Sequence, residues 1–351
     1  FFSSRRRHTR YGTVTGVQTC ALPICEKSHL RIAPAVSVIL TVINESRHLK
    51  DAVQAVLDSE YTGELEIVIA VGPSRDGTME IARQLAAENP AIRVIDNPSG
   101  RTPDGLNAAL AHTTHEIVVR IDGHSEIDSK YISTAVQILE EEKAVNVGGI
   151  MAAEGTTTFE RAVASAMRSP IGVGSSRFHT GGNAASVDTV YLGVFRRSAL
   201  MAIGGYDSRF TRAQDWEMNY RLRSAGGKIW FDPRLKVTYR PRNSFADLAR
   251  QYFEYGRWRR AVLRLHPKSS NFRYLAPPIN IFIQSLGIIV GLTLSPIFFL
   301  PSIIYLLAII SGSFFIGENN ATKALLPFVL ITMHFSWGFG FISSPKHLIT
   351  K

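Results

Sequence analysis

From residue 35 to about residue 121, short apolar runs alternate with stretches of helical period. Ala35–Thr41 is a β-branched run, and residues 45–59 (ESRHLKDAVQAVLDS) follow with apolar positions spaced for one helix face. Glu66–Val71 is a second strand-like run. It ends in Gly72-Pro73-Ser74-Arg75-Asp76-Gly77, and a helix is predicted from there to about Glu88. Ile92–Ile95 is a third strand. Thr102 and Pro103 open another helix, with Thr102 the expected N-cap and Pro103 at the first helical position. Ile117–Ile121 is the fourth strand and runs into Asp122. This alternation predicts an α/β domain with a mainly parallel sheet over residues 35–235. Such sheets bind ligands beyond the carboxyl ends of their strands. Three polar clusters fall on that edge: Thr41–Glu45, Gly72–Asp76 and Asp122–His124.

Further along, QDWEMNYRLRS reads as an amphipathic helix with Asp215 in its first turn, and Thr211-x-x-Gln214 predicts a capping box at its start. Gly148-Gly149 is expected in a turn, and Gly226-Gly227 at a helix end. The pattern then changes character. No charged residue occurs among the 44 positions from Tyr274 to Gly317. A membrane crossing takes about 20 apolar residues, so this stretch predicts a hairpin of two spans broken near Pro296 and Pro301. A third apolar segment runs from about Ala324 to Phe341. The membrane region is therefore placed at 274–343, with two or three helices. Three crossings would put the basic tail SSPKHLITK opposite the α/β domain, so a re-entrant segment or a truncated chain is the other reading.

Charge sharpens this organisation. Ten Lys or Arg residues lie between Lys236 and Arg273 against two acids, Asp247 and Glu254. Next to an apolar span, such a run marks an interfacial segment on the cytoplasmic side and attracts anionic headgroups. No base-stacking motif or recognition helix accompanies it, so nucleic acid is not an expected partner. Residues 1–25 have no acid and no sustained period, are too polar for the apolar core of a signal peptide, and resemble a translated sequencing-adapter tract. Setting them aside removes four arginines and lowers the net charge from +10 to +6. It also removes both cysteines, Cys20 and Cys25, leaving a disulfide-free chain that fits a reducing compartment.

The segments VSVILTVINES, EIVIAVGPSRDGT, VVRIDGH, NVGG, SVDTVYLGVFRRSAL, GGYDSRF through QDWEMNYRLRSAGGKIWF, and QYFEYGRW occur in this order. Together they resemble the inverting glycosyltransferases of family 2, and most of all the succinoglycan-type glucosyltransferases of bacterial exopolysaccharide assembly. The resemblance covers roughly residues 35–341. It implies a Rossmann-like GT-A fold, a nucleoside-diphosphate sugar donor, a divalent cation (Mn²⁺ or Mg²⁺) and displacement with inversion at the anomeric carbon.

What the resemblance implies can be carried residue by residue. Asp122-Gly123-His124 stands at the family's metal-binding Asp-x-Asp position, with His124 in place of the second Asp. Imidazole suits Mn²⁺ better than Mg²⁺. Without that context the Asp-Gly pair would read as a surface turn. Asp215 is the expected general base, the carboxylate that accepts the attacking hydroxyl's proton. Its plainer role is to complement the positive end of a helix dipole. The family's usual Glu-Asp is Gln214-Asp215 here. Thr41, Asn44 and Glu45 match the donor-binding first-strand motif. Ile43 and Val71 replace a stacking aromatic and a base-binding Asp, a loss that Arg75 and Arg101 would offset by meeting phosphate or ribose oxygens. Asp76 is either an N-cap or a donor contact. Arg257-Trp258 resembles the Gln-x-x-Arg-Trp signature of processive synthases, but Gln251 lies six residues before Arg257, which points to addition of a single sugar. These two residues either meet the diphosphate and the acceptor or anchor the interface.

The expectation is a hexosyltransferase of the bacterial plasma membrane with a cytoplasmic catalytic domain. A UDP-sugar is the expected donor and a polyprenyl-linked glycan the expected acceptor. The reading from another class is a non-catalytic scaffold or glycan-binding subunit with an eroded donor pocket.

Overall fold

The computed structural model describes residues 33–349, so the expectations about residues 1–25, Cys20 and Cys25 included, lie outside the described residues. The strands are β1 (Val36–Val42), β2 (Leu65–Val71), β3 (Ile92–Asp96), β4 (Ile117–Arg120), β5 (Glu126–Ile127), β6 (Asn146–Ala153), β7 (Ala185–Ser186), β8 (Tyr191–Arg196) and β9 (Ile229–Tyr239). They form one sheet ordered β3-β2-β1-β4-β8-β6-β9-β5, with β7 also paired to β9. The four strands expected from sequence are β1 to β4, and they pair in parallel. They read as continuous apolar runs because helices cover both faces. Val38 and Leu40 point into one core with Leu49, Val53, Ile132 and Leu139. Ile39 points to the other face, against Leu106, Phe195 and Leu222.

Past β4 the sheet becomes mixed. β8 runs antiparallel to β4 and β6, and β9 runs parallel to β6 beyond the expected domain end at 235. Gly148 and Gly149 lie inside β6 rather than in a turn. The register between β6 and β9 shifts between Gly148 and Ile150, and a Cβ on Gly149 would overlap the Leu235 carbonyl. Glycine is there for the close approach of a bulged neighbour strand. Gly226 does end a helix, at φ 87°.

Two helix starts differ from expectation. Helix Thr102–Ala111 has Arg101, not Thr102, at the N-cap, with no side-chain cap. Helix Gln214–Ser224 has Ala213 at the N-cap in the left-handed region (φ 58°), and no capping box forms. Thr211 stands two residues outside that position, out of place to accept from the first-turn amides.

Among the described residues, three segments are long and apolar enough to cross a membrane: Phe272–Thr293, Pro296–Ile316 and Asn320–Ser343. Apolar side chains project outward from the first two, with Phe272 75%, Leu292 75% and Phe315 86% exposed, a surface suited to lipid. The third differs, because it packs along helix Phe245–Leu265. A Cβ on Gly340 would overlap the Phe253 carbonyl, and one on Gly256 the Trp337 carbonyl. Leu326, Leu330 and Met333 are buried with Ala162, Met167 and Leu248 of the catalytic domain.

Candidate active site

The β1 and β2 loops are tied together at the carboxyl edge of the sheet. Asn44, in the left-handed region (φ 54°) that Asn tolerates, accepts from the Arg75 amide at 2.9 Å through its side chain. Its own amide donates to Ser74 Oγ. The Glu45 amide donates to Thr78 Oγ1 at 2.8 Å, and the Ser46 amide to Asp76 Oδ2 at 3.0 Å. Asp76 Oδ1 accepts from the Thr78 hydroxyl and amide. Those bonds, the Thr78 hydroxyl's first, pull the Asp76 carboxyl down to about 2. Asp76 therefore braces the loop and the start of helix Thr78–Glu88, while Gly77 takes the cap position at φ 84°. Thr41 closes β1 against Gly105, where a Cβ would overlap Thr41 Oγ1. Val71 is buried in the core, so nothing replaces the base-binding carboxylate at that position.

At the end of β4 lies a feature that the sequence reading missed. Arg120 is 4% exposed and forms ion pairs with both Asp122, at 3.1 Å, and Asp215, which are 23% and 25% exposed. The guanidinium is buried, while each carboxylate stays about a quarter exposed. Burial works against the charge on Arg120, but Asp215 and then Asp122 outweigh it and hold its pKa above the ordinary value. Burial raises the pKa of Asp215, and the opposing pull of Arg120 only partly offsets it. Glu217 points elsewhere, as expected: it is buried and paired with Arg221 and His266.

Near Asp122, His124 Nδ1 lies 2.9 Å from Glu45 Oε1, which raises the His124 pKa. This bond leaves Nε2 as the coordinating nitrogen, the arrangement in which a carboxylate orients a ligating histidine. Among the described residues no three His, Cys, Asp or Glu side chains converge as a complete ligand set. A cation held by Asp122 and His124 Nε2 would complete its shell with phosphate oxygens and water.

The remaining candidates divide. The Arg75 side chain is exposed and has no ion pair among the described residues, so it is available to a ligand. Arg101 is held by Asp104 at 2.8 Å. Arg257 pairs with Glu254 at 2.6 Å. Trp258 is 6% exposed and packs with Phe210, which places it in the core rather than on an open stacking face or at a lipid boundary.

Residues 37–204 match Glycosyl transferase family 2. The chain is 29% identical over 320 residues to the succinoglycan biosynthesis protein ExoA of Rhizobium meliloti, covering 87% of this chain and 93% of that protein. It is 22% identical over 321 residues to a dolichyl N-acetyl-α-D-glucosaminyl phosphate 3-β-D-2,3-diacetamido-2,3-dideoxy-β-D-glucuronosyltransferase of Methanococcus voltae, covering 87% of this chain and 95% of the other. The mannosyltransferase PcManGT of Pyrobaculum calidifontis, solved with GDP-Man and Mn²⁺, superimposes with a TM-score of 0.60 at 18% identity, over 88% of this chain and 89% of that one. That likeness carries the fold. The chain is a glycosyltransferase whose residues 37–204 match the family 2 domain, on a GT-A fold.

Proposed function

We propose that the enzyme transfers one hexose, with inversion, from a UDP-sugar to a polyprenyl-linked glycan in bacterial exopolysaccharide or envelope polysaccharide assembly. The observation that carries this reading is the pairing of Asp122 and Asp215 through Arg120 at the carboxyl edge of the sheet. It supports a donor-side carboxylate and a basic carboxylate held side by side on one guanidinium, as in-line displacement at the anomeric carbon requires. Asp215 accepts the proton of the attacking hydroxyl as the new C1–O bond forms. The bond from C1 to the phosphate oxygen breaks, and the nucleoside diphosphate leaves with the electron pair. Asp122 and His124 would hold the divalent cation. When bound, it neutralises the diphosphate and acts as a Lewis acid toward the leaving oxygen. The laced β1–β2 loops, with Thr41, Asn44, Glu45 and Arg75, hold the nucleotide side. The apolar hairpin and the basic helix beside it support placement at the plasma membrane, with the catalytic domain cytoplasmic. The relatives' names, a succinoglycan biosynthesis protein and a transferase acting on a dolichyl-linked sugar phosphate, support the glycan and its lipid carrier.

The test uses membranes containing residues 26–351, a panel of radiolabelled sugar nucleotides, and Mn²⁺ or EDTA. Label should enter the lipid extract with one donor and disappear with EDTA. In Asp215→Asn, transfer should fall by about 10²–10⁴-fold while calorimetric titration still shows donor binding. Undiminished transfer by Asp215→Asn would move the base to another residue.

A further inference from the structure

Most arginines of the basic helix Phe245–Leu265 have an evident task. Arg250 and Arg257 pair with Asp247 and Glu254. Arg260 donates to the carbonyls of Phe341 and Ile342, and Arg264 to those of Ser344 and Pro345. Arg259 is different. Its guanidinium lies 4.2 Å from the ring centres of both Trp216 and Tyr274. Its Nη1 is buried with no hydrogen-bond partner, and no carboxylate among the described residues pairs with it. The nearby Asp188 is taken by Arg273.

The surroundings add to this imbalance. Burial, and then the charge of Arg273, lower the pKa of Arg259. Two guanidinium groups thus act on each other across an aromatic frame that is itself fixed, since Trp216 Nε1 donates to the Tyr274 hydroxyl at 2.9 Å. Asp188 bonds Arg273 and acts on Arg259 only through space, so two guanidinium groups share one carboxylate. That is an unfavourable balance for buried cations, and the unsatisfied buried donor leaves room for an ion, water or ligand. The position is informative as well. Trp216 follows Asp215 in the chain, and Arg273 stands next to Phe272, which is 75% exposed at the start of the first apolar helix. The orphan donor therefore sits between the catalytic helix and the surface suited to lipid.

We propose that Arg259 and Arg273, framed by Trp216 and Tyr274, bind the phosphate or diphosphate headgroup of a lipid whose chain runs along the apolar hairpin. This rests on the reading that the acceptor is lipid-linked, and it assigns that acceptor's anionic group to named residues. Arginine forks suit phosphate oxygens. A headgroup held here would present its sugar toward the helix that carries Asp215.

The test uses the 26–351 chain in nanodiscs of neutral phosphatidylcholine, titrated with farnesyl diphosphate, with inorganic pyrophosphate, and separately with the sugar nucleotide and Mn²⁺. Farnesyl diphosphate should bind. Arg259→Met, which keeps the stem that packs on the rings, should weaken that binding at least tenfold, and Arg259→Lys should weaken it less. Sugar-nucleotide binding and thermal unfolding should match the parent protein in the Lys variant at least, which separates ligand loss from misfolding. Equal farnesyl diphosphate affinity in the parent and Arg259→Met would overturn the site, as would equal loss of sugar-nucleotide binding in both variants. Pyrophosphate binding as tight as farnesyl diphosphate would overturn the lipid assignment and leave a free-phosphate site. Headgroup binding without transfer from any donor would sink the transferase reading and leave this site standing.

Discussion

Arg120 shows how a single side chain can organise the site. It stands two residues before Asp122, so strand alternation predicts that both point the same way. That much could be read in IVVRIDGH, yet an arginine inside an apolar run gives no hint of its second partner, Asp215, 95 residues later. The consequence is measurable through pH. Asp215 works as a base only when ionised, and its folded pKa is raised, so the acid limb of kcat/KM should fall above the ordinary carboxylate range of about 4. Arg120 favours the ionised form, so in Arg120→Met the limb should move to still higher pH. The same change strands two partly buried carboxylates, and removing one partner of a buried pair costs about 3–5 kcal/mol. Profiles should therefore be taken well below the variant's melting temperature. An unmoved limb would mean that the titrating group is not Asp215. The positions of Asp122 after a strand and Asp215 in a helix's first turn were legible because each carries a local sequence signal. The burial of Trp258 was not, since it depends on Phe210 arriving from another part of the chain.

At the level of elements, the parallel core was readable because β1 to β4 are apolar on both faces and punctuated by turn residues. The antiparallel half was not. β6 contains two glycines that imitate a turn, and their reason is the bulged β9, remote in sequence. The start of helix Gln214–Ser224 failed for a related reason: Ala213 adopts a left-handed conformation that nothing in its side chain favours. That conformation costs a non-glycine residue about 1–2 kcal/mol, and strain of this kind concentrates at functional sites. Here it immediately precedes Gln214-Asp215 and fixes how the helix presents its first turn. Ala213→Gly should therefore gain about 1 kcal/mol of stability, less the entropy that glycine adds to the unfolded chain. The expected result is an unchanged or slightly raised melting temperature, accompanied by reduced transfer as the first turn loosens. A marked fall in melting temperature would show that the backbone is not strained there.

For the whole molecule, the 44-residue uncharged run predicted two long apolar helices, and the structure forms them, but the course of the last helix depends on packing that no local pattern encodes. Asn320–Ser343 is about 36 Å long at 1.5 Å per residue, ample for a crossing. Yet both of its ends are held by residues of the catalytic side. Glu318, just before it, pairs with Arg168 at 2.6 Å, and Arg260 and Arg264 bind carbonyls at and beyond its carboxyl end. If this helix crossed, Phe245–Leu265 would lie beside it in hydrocarbon, and each arginine at the bilayer centre costs roughly 2.5–3.5 kcal/mol or more. Packing along the catalytic domain avoids that cost. The expected topology is then a hairpin 272–316 in the bilayer with the basic tail on the catalytic side, which would remove the conflict between three spans and a basic tail. Residues 26–351 contain no cysteine, so single cysteines can report sidedness. Arg83→Cys on the catalytic domain and Lys346→Cys in the tail should react with a membrane-impermeant maleimide from the same side of sealed vesicles. Leu294→Cys, at the hairpin tip, should be protected from that side. Labelling of Lys346→Cys only from the side opposite Arg83→Cys would require a third crossing, and the arginine contacts at the end of the helix would then have to break in the membrane.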